Sequence, residues 1–162
     1  MTRILIVDDD TLVLASIQML LIHAGHEVVA VDQARKAVLA LEREPFDLVI
    51  VDVFMPGMDG YQAIKEFQRL DPGVPIIAMS GVMFRESSQR HAPDFLGMAG
   101  KLGATRTLHK PFKPAELMEA VEACGAARAA LRCAHAQRCR LVPGGRQETN
   151  CFWWLHHRRH HA

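Results

Sequence analysis

Arg3-Ile4-Leu5-Ile6-Val7-Asp8-Asp9-Asp10 is an unbroken apolar run that stops abruptly on three acids. A run with no polar alternation reads as a strand buried on both faces, the condition of a strand inside a parallel sheet. Leu48-Val49-Ile50-Val51 repeats the pattern and again ends on an acid, Asp52. Glu27–Val31, Ile76–Met79 and the short Arg106–Leu108 supply three more strands. Between them, apolar residues recur at helical spacing. The first set is Leu12, Ala15, Met19 and Leu20, stopped by Gly25. The second is Ala34, Ala37, Val38 and Leu41, ended near Pro45. The third is Ala63, Ile64, Phe67 and Leu70, closed by Asp71-Pro72-Gly73. Leu117, Ala120, Val121 and Cys124 stripe a last helix with room to run on through Leu131. Strand and helix alternate five times. This predicts an α/β fold, a (βα)5 doubly wound five-stranded parallel sheet with a C-terminal extension.

In open parallel sheets, ligands bind beyond the carboxyl ends of the strands. Asp8, Asp9 and Asp10 follow the first strand, Asp52 ends the third, Ser80 ends the fourth, and Lys110 follows the fifth. Converging carboxylates repel unless a cation neutralises them, and an all-oxygen set suits a hard ion such as Mg²⁺. Mg²⁺ shares its shell with phosphate oxygens, so the predicted edge is suited to phosphoryl transfer. A lysine ammonium and a small hydroxyl can hold further phosphoryl oxygens, and an aspartate can itself be the acceptor.

Composition narrows the classes. The chain has 162 residues, 49% apolar and 23% charged, which fits one globular domain with residues to spare and excludes disorder throughout. Residues 1–125 carry 12 basic against 17 acidic side chains, a net −5, whereas residues 126–162 carry seven arginines and Glu148 alone, a net +6. An acidic domain over 1–125 and a basic, Cys/His-rich tail over 126–162 are therefore expected. The longest charge-free apolar stretch, Thr11–Ile22, has 12 residues, short of the ~20 that span a bilayer. No secretory signal is expected, because Arg3 precedes only Ile4–Val7 before three aspartates. Cys124, Cys133, Cys139 and Cys151 all fall late in the sequence, so the core reads as independent of disulfides and cytoplasmic. In the tail, Cys133-x-His135-x₃-Cys139 lacks a fourth zinc ligand at finger spacing. The expected tail is a helix extension followed by a disordered or artefactual segment.

Taken in order, four motifs resemble the receiver (CheY-like) domain of two-component response regulators, and the resemblance implies a single-domain regulator. These are Asp8-Asp9-Asp10, Val51-Asp52-Val53-Phe54-Met55-Pro56-Gly57-Met58-Asp59-Gly60, Ser80-Gly81 and Lys110-Pro111-Phe112. The resemblance covers residues 1 to about 125. It implies a flavodoxin-like fold and a signalling role. Asp52 would take a phosphoryl group from a sensor histidine kinase or a histidine phosphotransfer protein, with Mg²⁺ as cofactor, and partner binding would change. The implied metal ligands are Asp9, Asp10, Asp52 and the backbone carbonyl of Phe54, with Asp8 left as the residue before the acidic pair. The implied phosphoryl-binding and switch set is Lys110, Ser80, Gly81 and Thr107, and Lys110–Pro111 is implied to be cis.

Two departures from the family pattern stand out. Thr107 occupies a position where the family commonly has an aromatic residue. The stretch from Ser80 to Gly103 is long, with an expected loop over Val82–His91 and a helix over Asp94–Leu102 opened by Pro93. A haloacid-dehalogenase-type phosphatase would need a second acid two residues after the nucleophile, and Phe54 stands there. No enzyme activity beyond self-catalysed aspartyl phosphorylation and dephosphorylation is expected. Two alternative roles stay open, a phosphorelay intermediate and a transcription regulator whose basic tail contacts DNA. The tail has no helix-turn-helix pattern, so the principal reading includes no nucleic acid and no membrane insertion. The downstream target is unspecified and a homodimer is left open.

Overall fold

A computed structural model describes residues 1–55, 60–81, 95–101 and 103–140. Five strands alternate with five helices: β1 (Arg3–Val7), α1 (Thr11–His23), β2 (Glu27–Val31), α2 (Ala34–Arg43), β3 (Leu48–Asp52), α3 (Gly60–Leu70), β4 (Ile76–Gly81), α4 (Phe95–Lys101), β5 (Arg106–Lys110) and α5 (Pro114–Arg140). The sheet is parallel throughout, in the order β2-β1-β3-β4-β5. The predicted α/β architecture is the one observed.

The apolar runs are buried on both faces, as a parallel sheet covered by helices requires. Side chains alternate with period two. Leu5, Val7, Val49, Val51, Ile76 and Ala78 pack with Ala37 and Leu41 of α2, Ala63, Ile64 and Phe67 of α3, and Ala99 of α4. Ile4, Ile6, Leu48, Ile50, Ile77 and Met79 face the other way, onto Ile17 and Leu21 of α1 and Leu117, Val121 and Cys124 of α5. Each fully buried Ile, Leu or Phe contributes about 1.5–3 kcal/mol. The two half-cores thereby hold the middle strands rigidly under the carboxyl edge.

Local chemistry sets the element ends. Asp10 is the N-cap of α1, its Oδ1 accepting from the N–H groups of Leu12 and Val13 at 2.9 and 3.2 Å. Gly25, at φ +85°, takes the left-handed conformation just past α1. β4 and β5 run to Gly81 and Lys110, past their expected ends, because the ladder continues through Ser80↔His109 and Gly81↔Lys110. α4 lies inside the stretch expected to be helical. The expected loop over Val82–His91, with Pro93 and Asp94, lies outside the described residues.

One compact unit spans Met1–Ala129, and a second spans Ala130–Ala162. Within the first, Arg128 reaches from α5 to the turn before β4, where its guanidinium donates to both carboxylate oxygens of Asp71 at 2.5 and 3.3 Å. No helix among the described residues is long and apolar enough to cross a membrane.

Candidate functional site

The sheet order places β1 and β3 side by side, with β2 beyond one and β4 and β5 beyond the other. Connections leave in opposite directions at this point, which opens a crevice above the carboxyl ends of the two strands. Among the described residues, the buried polar or charged side chains are Asp8, Asp52 and Ser80. All three lie at this edge. A buried polar group is costly unless partnered, so its partners reveal its task.

Asp8 follows β1 and has no exposed surface. Its Oδ1 accepts from the Asp10 N–H at 3.0 Å, and its Oδ2 from Lys110 Nζ at 2.6 Å. Asp52 ends β3. Its Oδ1 accepts from the Phe54 N–H at 2.9 Å, and its Oδ2 from the same ammonium at 2.6 Å. Lys110 is brought there as the last residue of β5, and the Lys110–Pro111 peptide is cis. Asp9 is exposed at the rim. Carboxylate oxygens of Asp8, Asp9 and Asp52 lie within 4.8 Å of one another.

Electrostatics follow from this crowding. Burial pushes the Asp8 carboxyl above its ordinary value, against the opposing pull of Lys110 and the Asp10 N–H. Burial works against the Lys110 ammonium too, but the bonds to Asp52 and Asp8 outweigh it and raise its pKa. Three carboxylates facing one ammonium leave negative charge uncompensated. Their all-oxygen donor set fits a hard divalent cation such as Mg²⁺.

The structure separates the three acids that follow β1. Asp10 does not join the cluster. It is exposed, and its carboxylate is spent on the first turn of α1. Asp8, set aside in favour of Asp9 and Asp10, is the buried member instead. The helix cap is the physical reason: the residue just before α1 turns its side chain back onto the helix.

The switch residues divide. Ser80 is buried at the end of β4, and its Oγ donates to the Gly81 carbonyl at 3.3 Å, a long bond for a hydroxyl. Gly81 pairs with Lys110. Thr107 is exposed and pairs with Ala78, three residues short of Lys110 on β5, so it sits below this edge. Phe54 is half-buried, its ring packed against the core on the α2 and α3 side.

A doubly wound domain carrying an acid cluster, a bridging lysine and a buried hydroxyl at its switch point defines a class of phosphoryl-handling signalling domains. The response regulator receiver domain family matches residues 4–122, and the chain belongs to it. Its role is phosphoacceptor signalling in two-component systems. The chain is 37% identical over 119 residues to the response regulator protein FleR of Pseudomonas aeruginosa, which covers 74% of this chain and 24% of FleR. It therefore spans about a quarter of that relative's length. The chemotaxis protein CheY of Thermotoga maritima is 32% identical over 124 residues, covering 74% of this chain and 93% of CheY. Among solved structures, a CheY-like receiver domain protein from Methanospirillum hungatei superposes with a TM-score of 0.71 at 28% identity, covering 80% of this chain and 98% of the other.

Proposed function

We propose that Asp52 is the phosphoacceptor, with Asp8, Asp9, Asp52 and the Phe54 carbonyl holding Mg²⁺. One observation carries the reading: the Lys110 ammonium bridges Asp8 and Asp52 at 2.6 Å each, within a cluster completed by Asp9. A carboxylate oxygen of Asp52 attacks the phosphorus of a phosphohistidine, and the P–N bond breaks as the O–P bond forms. Lys110 already touches Asp52, so its ammonium reaches an incoming phosphoryl oxygen with little movement. The Ser80 hydroxyl, which among the described residues is held by its long bond to Gly81, turns to donate to another. Mg²⁺, when bound, screens the negative charge shared by carboxylate and phosphoryl group. Asp8 keeps Lys110 in place, and Asp9 supplies the accessible metal ligand. The product adds roughly −1.5 to −2 charges to the pocket, which biases the packing around Ser80.

The donor is a histidine kinase or histidine phosphotransfer protein, and the surface of α1 supports this. Its 13 residues include no Asp, Glu, Lys or Arg. Leu12 and Met19 are 78% and 73% exposed, and Ala15 and Ile22 share their face. The stripe starts beside the acid cluster, so a helix docked along it carries its own side chains to Asp52. An apolar, uncharged surface of this kind marks a binding face.

Amide shifts test the site. Beryllofluoride with Mg²⁺ perturbs the amides of residues 52–54 and 80–81 in wild type, and Asp52→Asn removes the response. Perturbation that persists in Asp52→Asn, or without divalent cation, contradicts the assignment.

A further inference from the structure

We infer that the outer edge of β2 is a pairing site for the same edge of a second copy of this chain. β2 ends the sheet, with β1 beside it on the inner side. In a parallel ladder the backbone groups of successive residues point alternately to one side and the other. The Glu27 N–H donates to the Thr2 carbonyl at 3.1 Å, and the Val31 carbonyl accepts from the Asp8 N–H at 3.2 Å. Glu27, Val29 and Val31 therefore turn their backbone groups inward, to the β1 side. Val28 and Ala30 turn theirs outward, and each presents an N–H and a C=O beyond the sheet.

Such an edge is usually guarded by charge, proline or a bulge. The opposite edge strand, β5, carries exposed Arg106 and His109. β2 reads Glu-Val-Val-Ala-Val, keeps an unbroken register with β1, and leaves Val28–Val31 half-buried. Its charged residue, Glu27, is engaged in an ion pair with Arg3 Nε at 3.0 Å. What remains is an apolar strand with an open row of donors and acceptors, a template for another strand.

The edge is complementary to itself. An antiparallel pair related by a two-fold axis at Val29 sets Val28 of one copy opposite Ala30 of the other. Those are the outward-facing residues, so each Val28–Ala30 pair exchanges both of its hydrogen bonds. Val29 meets its symmetry mate at the axis, in a non-hydrogen-bonded position where Cα atoms approach to about 4.5 Å and β-branched side chains pack. The same register sets Glu27 opposite Val31, which keeps like charges apart. One residue further out it sets His26 opposite Asp32. Asp32 already accepts from Lys36 Nζ at 2.7 Å, and a carboxylate has room for a further donor such as an imidazole N–H. This two-fold match selects a second copy as the occupant over a foreign strand. The paired strands run in opposite directions, so the two acid clusters lie on opposite edges of the joined sheet.

Amide exchange of the full chain, with a reducing agent present, reads the interface. Raising the concentration from low to high micromolar slows exchange at Val28 and Ala30 by about tenfold or more, while Val29 and Val31, already turned to β1, change little. Sedimentation over the same range shows a monomer–dimer equilibrium. Ala30→Pro removes an outward N–H and leaves the β1 ladder whole. It weakens dimerisation about tenfold, with a melting temperature within about 2 °C of wild type. Val29→Cys checks the register: oxidation joins two copies through residue 29, identified by peptide mapping. Should Ala30→Pro fail to fold, the exchange pattern of wild type and the cross-link decide. A monomer at every concentration overturns the proposal. So does a dimer whose Val28 and Ala30 amides stay unprotected, or one that folded Ala30→Pro leaves at full strength. Protection of those amides by another protein, with the chain alone monomeric, assigns the edge to a foreign strand and overturns it as well.

Discussion

Asp8 is a carboxylate without solvent contact, and burial lifts its pKa above the ordinary 3.8 despite the bonds from Lys110 and the Asp10 N–H. The folded protein therefore binds this proton more readily than the unfolded chain does. With more protons on the native side, stability falls as pH rises from about 3.8 through the folded pKa. Ionisation of Asp8 is thus a burden on the fold, kept for its chemistry. Asp8→Asn raises the melting temperature at pH 7 by roughly 3–6 °C, and the difference from wild type shrinks toward pH 4. The same variant loses Mg²⁺ affinity in a calorimetric titration. A lower melting temperature at pH 7 would show instead that the bond to Lys110 outweighs desolvation. The run of three acids made this site visible without settling its membership. Its clue was the helix beginning at Thr11: a residue directly before a helix is a preferred N-cap, which commits Asp10 and leaves Asp8 and Asp9 beside Asp52.

At the level of elements, the strands were legible because burial on both faces removes polar alternation, and the acids after β1 and β3 marked the functional edge. Partnership was less legible. The apolar spacing of α1 reads as a core face, yet the helix packs through Ile17 and Leu21 and leaves Leu12 and Met19 outside. Periodicity alone cannot separate two apolar faces of one helix; only packing does. Met19→Lys lowers the rate of phosphotransfer from the phosphorylated cognate histidine kinase roughly tenfold, with labelling by acetyl phosphate unchanged. An equal loss with both donors would place Met19 in the service of the site or the fold. The register between β4 and β5 was equally hidden, because Arg106–Leu108 is too short and too polar to reveal where its pairing ends. That register is what sets His109 opposite Ser80.

For the molecule as a whole, the change from an acidic body to a basic tail, expected at residue 125, is less sharp in the packing than in the charges. The family match ends at residue 122, and the compact unit runs to Ala129. Arg128 explains the difference: its side chain is only 11% exposed and grips Asp71, 57 residues earlier. A bidentate charged pair of this kind contributes about 1.5 kcal/mol. Arg128→Ala, or a chain ending at residue 125, lowers the melting temperature by roughly 3–8 °C and leaves Mg²⁺-dependent phosphorylation unchanged. A chain ending at Ala129 keeps the full melting temperature. Equal stability of the chains ending at 125 and 129 would contradict a structural role for the clamp. Residues 141–162, with the histidine pairs and Phe152-Trp153-Trp154, lie outside the described residues.

Intact mass after incubation with acetyl phosphate tests the central claim most directly. Wild type gains a single phosphoryl group when Mg²⁺ is present and none when the metal is chelated. Asp52→Asn gains none under either condition, and peptide mapping after reduction of the acyl phosphate places the modification at Asp52. Phosphorylation without divalent cation, or full labelling of Asp52→Asn, would contradict the account.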